Sequence, residues 1–259
     1  MWCGGEAGQL YRVDVAAGTA EQAGEAFGFV LGVAVDGRGR VAACCSHDGS
    51  VAAFDPATGR ARRVVTVTAG DGRLAMPNFP AFLDDGTLFV SDSGRWGAGD
   101  GRLVRVDRDG TAEVFSRAVG HFTNGLAVSP DGRWLWVAES HRPRLSRLYL
   151  RTGDGRAEVV AELPGTVPDG LAFTDAGGLL VACYRPDAIF HLDRCGELEL
   201  VASDPQRTLL AGATNVCFVG PGLDRVVSAN LGRWHLTLLD LGLRGAPLPR
   251  PARWAADAG

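Results

Sequence analysis

Apolar residues recur along this chain in short runs, and Gly, Asp, Pro or Ser interrupts them roughly every 8–12 residues. Runs at 41–44, 88–91, 134–138, 179–183 and 226–229 are too short for helices and too continuous for half-exposed faces, so they predict buried strands. Each follows another apolar run across a turn of the Asp-Gly type, where Gly, Asn and Asp tolerate positive φ and favour tight hairpins. A third strand then ends near an Asp, clearest at 50–55, 102–107, 189–193 and 235–240. A fourth strand closes the unit, clearest at 62–66, 112–115, 157–161 and 197–201.

The unit repeats. Leu31-Gly32-Val33-Ala34-Val35, Asn124-Gly125-Leu126-Ala127-Val128, Asp169-Gly170-Leu171-Ala172-Phe173 and Asn215-Val216-Cys217-Phe218 are variants of one phrase, and Phe79-Pro80-Ala81-Phe82 is a weaker copy. Their leading positions 31, 79, 124, 169 and 215 lie 48, 45, 45 and 46 residues apart, the period of a four-stranded propeller blade. The first repeat is incomplete: residues 2–4 end a second strand, 9–15 and 21–24 supply a third and fourth, and no inner strand precedes them. The expected fold is all-β, a six-bladed β-propeller of four-stranded blades with the first blade lacking its N-terminal inner strand. It forms a single domain over residues 1–259, with five full repeats and most of a sixth.

Composition narrows the function. The 259 residues are 46% apolar, net charge is −4, and all 26 basic residues are arginines, which excludes a Schiff base on lysine. The densest arginines, Arg60, Arg62 and Arg63, read as a solvated strand edge, so nucleic acid is not an expected partner. Six cysteines show neither a CxxC pair nor zinc-finger spacing and read as reduced, mostly buried thiols. No signal peptide opens the chain and no apolar run approaches a membrane span, so the expectation is a cytoplasmic monomer or homodimer acting on a small molecule.

Hairpin direction places the starts of the inner strands and the loops after the second strands on one face. That face gathers Asn78, Asn124, Asp169 and Asn215 with His47, Arg95, Trp96, Glu139, His141, Tyr184, Arg185, Asn230 and Arg233. The long loop from Ser91 to Gly101 is positioned to fold over it. An amide oxygen from Asn124 and a carboxylate from Asp169 suit a hard cation, although both dipeptides, Asn-Gly and Asp-Gly, are also turn formers. Asp36, Asp85 and Asp131 sit in hairpins on the opposite face and read as structural. His121 precedes Asn124 closely enough to reach the site, and Trp96, Tyr184 and Arg185 are candidates to contact substrate.

The phrases running from Phe122 to Gly132, from Val167 to Phe173 and from Leu180 to Tyr184 resemble the gluconolactonase/regucalcin (senescence marker protein)/luciferin-regenerating-enzyme family. The resemblance implies a six-bladed propeller holding one divalent cation, Ca²⁺ first and Mg²⁺, Mn²⁺ or Zn²⁺ otherwise, that hydrolyses sugar lactones or related small esters. By that likeness Asn124 and Asp169 are metal ligands, Asp169 is also the general base, and Asn78 faces substrate or water. The family follows that asparagine with Asp-Gly, where this chain has Phe79-Pro80. The family's third ligand is a glutamate on the first inner strand, which would fall upstream of Met1. Glu6, in the loop after the second strand of the first repeat, is a candidate by position to substitute for it. The alternatives are a non-catalytic propeller binding Ca²⁺ or a small ligand, and a related propeller enzyme of specialised metabolism.

Overall fold

A computed structural model describes residues 1–257 and contains six antiparallel up-and-down sheets, almost without helix. This is the blade architecture of a six-bladed β-propeller. The chain divides into two compact units, residues 1–123 with the segment from Pro249, and residues 124–248.

In the first unit, β1 (Trp2–Gly4), β2 (Gln9–Asp14) and β3 (Thr19–Glu25) form a three-stranded sheet, as the incomplete first repeat requires. β4 (Val30–Val35), β5 (Val41–Cys45), β6 (Ser50–Asp55) and β7 (Arg60–Val65) form the second. A two-stranded ribbon, β8 (Val67–Thr68) and β9 (Gly72–Arg73), was not foreseen from the apolar pattern, being too short and polar to show in it. β10 (Pro77–Phe82), β11 (Leu88–Asp92), β12 (Arg102–Val106) and β13 (Ala112–Ser116) complete the third sheet. Every residue of β5 and β11 is buried, which is why those runs lack polar alternation, whereas β3 and β7 carry mostly exposed or half-buried residues. Within β7, Arg63 pairs with Asp48 at 2.7 Å and stacks over Phe27, so the arginine-rich strand is a solvated edge.

The C-terminal segment packs back onto this unit. Trp254 is fully buried among Phe82, Leu88 and Val90, and its indole Nε1 donates to Asp36 Oδ2 at 2.8 Å. Asp36 also accepts from Arg40 Nε at 2.7 Å. The hairpin aspartate is structural, as expected, and its carboxylate holds the tail.

The second unit contains β14 (Thr123–Val128), β15 (Trp134–Glu139), β16 (Arg144–Tyr149) and β17 (Ala157–Glu162) in one sheet. β18 (Val167–Phe173), β19 (Leu179–Arg185), β20 (Ala188–Leu192) and β21 (Leu198–Ser203) form the next. The last, β22 (Ala213–Val219), β23 (Arg225–Asn230) and β24 (Leu236–Leu239), has three strands, so the two terminal sheets are each one strand short. Glu139 lies at the end of β15 rather than in a loop, fully buried, and accepts from Arg144 Nε at 2.7 Å and Ser146 Oγ at 2.7 Å.

Candidate functional site

The inner strands leave their ladders at the residues singled out above. Pairing of β10 with β11 shifts register between Pro77 and Phe79, skipping Asn78. Pairing of β18 with β19 shifts between Pro168 and Leu171, skipping Asp169, whereas in β22 the shift between Ala213 and Asn215 skips Thr214 and leaves Asn215 paired with Ala229. A bulge re-aims the side chain it frees, and bulges concentrate beside active sites for that reason. Asn124-Gly125 and Asp169-Gly170 lie within β14 and β18 rather than in turns.

The glycines have a different task. A Cβ on Gly125 would collide with the carbonyl oxygen of Asp169, and one on Gly170 with the side chain of Asn215. Each inner strand thus comes into backbone contact with the next at the level of the functional residue. That approach brings Asn124 and Asp169 together.

A repeated hydrogen-bond device fixes the asparagines. In the first unit Asn78 Nδ2 donates to Ser93 Oγ at 3.0 Å, and Ser93 Oγ donates to the Thr123 carbonyl at 2.7 Å. In the second, Asn124 Nδ2 donates to Ser140 Oγ at 3.0 Å, and Ser140 Oγ donates to the Pro168 carbonyl at 2.6 Å. Each chain of bonds ends on the residue just before the next functional one. Neither serine was anticipated, yet both left a signal: they follow their asparagines by 15 and 16 residues.

The Asn124–Asp169 pair carries the electrostatics. Asn124 is 4% exposed, and its Oδ1 is buried without a hydrogen-bond partner. Asp169 is half-buried; desolvation pushes its carboxyl up to about 8, against which a side-chain hydrogen bond from Asn124 pulls it down. Burial pushes the nearby Cys183 thiol up to about 12, so it stays protonated and is no nucleophile.

An orphaned amide oxygen beside a desolvated carboxyl is the donor chemistry of a hard divalent cation, and these residues fit one. Among the described residues no cluster of three or more His, Cys, Asp or Glu side chains forms, so further coordination would come from amides, backbone or water. Glu6 is exposed in the β1–β2 turn.

The remaining candidates divide into two groups. Trp96 and Phe122 pack edge to face at 4.9 Å, and His121, half-buried, precedes Phe122. Tyr184 and Arg185 form their own pair on β19, the guanidinium lying 5.6 Å from the ring centre.

The fold is that of a six-bladed β-propeller, with Asn124 and Asp169 side by side on its inner strands. Residues 1–229 match the SMP-30/Gluconolactonase/LRE-like region, and the chain belongs to that family. It is 28% identical to the pentonolactonase XacC of Haloferax volcanii over 244 residues, covering 89% of this chain and 77% of that protein. It is 31% identical over 158 residues to the adipocyte plasma membrane-associated protein of Gallus gallus, covering 53% of this chain and only 38% of that longer protein. Among solved structures, a gluconolactonase from Xanthomonas campestris superposes with a TM-score of 0.75 at 23% identity, covering 90% of this chain and 82% of that one. A calcium-binding regucalcin from Agrobacterium tumefaciens gives 0.73 at 20% identity, covering 94% and 87%. These likenesses establish the fold. Among the described residues no helix is long and apolar enough to cross a membrane.

Proposed function

We propose that this protein is a divalent-cation-dependent hydrolase of lactones or closely related small esters. The observation that carries the reading is the buried, unpartnered Oδ1 of Asn124 beside the desolvated carboxyl of Asp169. Membership of a family described by gluconolactonase, and similarity to a pentonolactonase, support the substrate class. Similarity to a calcium-binding regucalcin supports Ca²⁺ as the cation.

When bound, the cation would polarise the lactone carbonyl and lower the pKa of water at the site. The chain's residues do the rest. Asn124 Oδ1 and Asp169 hold the ion, and Ser140 keeps the amide oxygen turned toward it. Asp169 takes a proton from the attacking water as the new C–O bond forms, and returns it to the leaving ring oxygen as the ring C–O bond breaks, giving a hydroxy acid. Within the first unit, Asn78 is held by Ser93 through the same device that holds Asn124.

Elemental analysis of the purified chain, with a lactone panel run before and after chelation, tests the reading. The expected result is about one divalent ion per chain, turnover lost with chelator, and both lost in Asp169→Ala. Wild-type turnover in a metal-free chain or in Asp169→Ala would remove it.

A further inference from the structure

The asparagine of β22 is turned the opposite way to Asn124. Asn124 spends Nδ2 on the Ser140 hydroxyl and presents Oδ1. In Asn215, Oδ1 accepts from the backbone N–H of Val216 at 2.9 Å. A backbone N–H can only donate, so the end of the amide that faces it is the oxygen, and Nδ2 is the end presented. No serine stands where Ser93 and Ser140 stand in the earlier repeats. Asn230 holds that place in the sequence, and its side chain is committed elsewhere: Oδ1 accepts from Ala211 N at 3.0 Å, and Nδ2 donates to Thr237 Oγ1 at 3.0 Å. Among the described residues, Asn215 Nδ2 donates to no protein acceptor.

The placement of Asn215 repeats that of Asp169. Gly125 abuts Asp169, and Asn124, just before it, hydrogen-bonds the Asp169 side chain. One strand on, Gly170 abuts the Cα and the side-chain amide of Asn215, and Asp169 stands just before it. Asn124, Asp169 and Asn215 thus lie on successive inner strands of one unit, residues 124–248. The residues that Asn215 joins are acceptors. Asn124 Nδ2 is spent on Ser140, Ser140 Oγ on the Pro168 carbonyl, and Asp169 once ionised has no proton to give. Lactone hydrolysis nevertheless gathers negative charge that needs a donor. As water adds to the carbonyl carbon, the π electron pair moves onto the carbonyl oxygen, and it returns as the ring C–O bond breaks. We infer that Asn215 is a catalytic residue of this site, donating its Nδ2–H to the carbonyl oxygen as that charge develops and keeping its own proton throughout. The inference rests on the lactone-hydrolase reading above. Because the Val216 N–H holds the amide before substrate arrives, the donor needs no reorganisation during the reaction.

Two substitutions test it. Asn215→Asp keeps an oxygen for the Val216 N–H and removes only the amide donor, and Asn215→Leu removes the donor without adding charge. Each is assayed on δ-valerolactone and gluconolactone with the Ca²⁺-loaded chain, and Ca²⁺ binding is measured by calorimetry. The expected result in both variants is a loss of about a hundredfold in kcat, with KM moved by less than about threefold. A second readout is binding of a cyclic phosphonate, whose tetrahedral anionic centre resembles the reacting carbonyl. Its Kd is expected to weaken about tenfold or more in Asn215→Leu, while that of the corresponding lactam, which keeps a flat carbonyl, moves by less than about threefold. Turnover retained in either variant overturns the role of Asn215 and leaves the hydrolase reading standing. A loss confined to KM also overturns it, being the mark of a contact made equally to substrate and transition state. Loss of Ca²⁺ binding in Asn215→Leu assigns the residue to the cation and overturns the donor role. A wild type that binds neither lactam nor phosphonate and turns over no lactone overturns the hydrolase reading, and the donor role with it.

Discussion

The hydroxyl proton of Ser140 goes to the Pro168 carbonyl, so its oxygen has only lone pairs to offer Asn124. The Asn124 amide must therefore present Nδ2 to the serine and turn Oδ1 away, which is how a buried oxygen comes to lack a partner. The same geometry leaves Asp169 desolvated, and the consequence is a pH dependence of definite sign. In the metal-free chain the folded state keeps Asp169 protonated up to about 8, whereas the unfolded chain releases that proton near the ordinary carboxylate value of about 4. Between those values the folded state binds the extra proton, so the group's stabilising contribution is complete below about pH 4 and is lost as pH rises through about 8. Melting of the chelated chain at successive pH values between 5 and 8 is expected to fall, and Asp169→Asn to flatten that fall. A wild-type slope that the variant leaves unchanged would assign the titration to another group. Cation and proton compete for the carboxylate, so apparent affinity rises with pH over the same window, by up to about tenfold per unit.

At the scale of the strand, the Asn-Gly and Asp-Gly pairs work through close approach. Gly125 and Gly170 have no room for a methyl group because the neighbouring inner strand lies against them. Gly125→Ala and Gly170→Ala are each expected to cost about 1–3 kcal/mol by overpacking. Gly125→Ala should also weaken cation binding, because the backbone it displaces is that of Asp169. Thermal melting with calorimetric titration of Ca²⁺ reads both effects, and unchanged melting would show that the strands are not in contact there. Much of this was legible in the sequence: the period of about 45, the buried second strands, the incomplete first sheet, and the neighbouring positions of Asn124 and Asp169 on adjacent inner strands. What escaped reading depended on contacts rather than pattern. The β8–β9 ribbon has no apolar signature, and the three-stranded final sheet follows apolar and polar residues that resemble those of the other repeats. Glu139 looked like a loop carboxylate until Arg144 and Ser146, five and seven residues away, enclosed it. Ser93 and Ser140 were visible only as a spacing, which gains meaning once the inner strands converge.

For the molecule as a whole, the location of the pair sets where a cation bound by it would act. Asn124 and Asp169 both belong to the unit spanning residues 124–248, as does Ser140, so the folding free energy released by binding is delivered there. A ligand that binds only the native state at about 100 times its Kd stabilises by about 2.7 kcal/mol. In a chain of this size, that corresponds to a rise in melting temperature of about 5–10 °C. The rise should reverse on chelation and be absent in Asp169→Ala. Hydrogen exchange gives the spatial readout: protection on adding Ca²⁺ is expected to rise first in β14, β18 and β22, with smaller gains in β4 and its sheet. Protection spread evenly over both units would mean that the ion draws ligands from each. Protection confined to residues 1–123 would move the metal site away from Asn124 and Asp169 altogether.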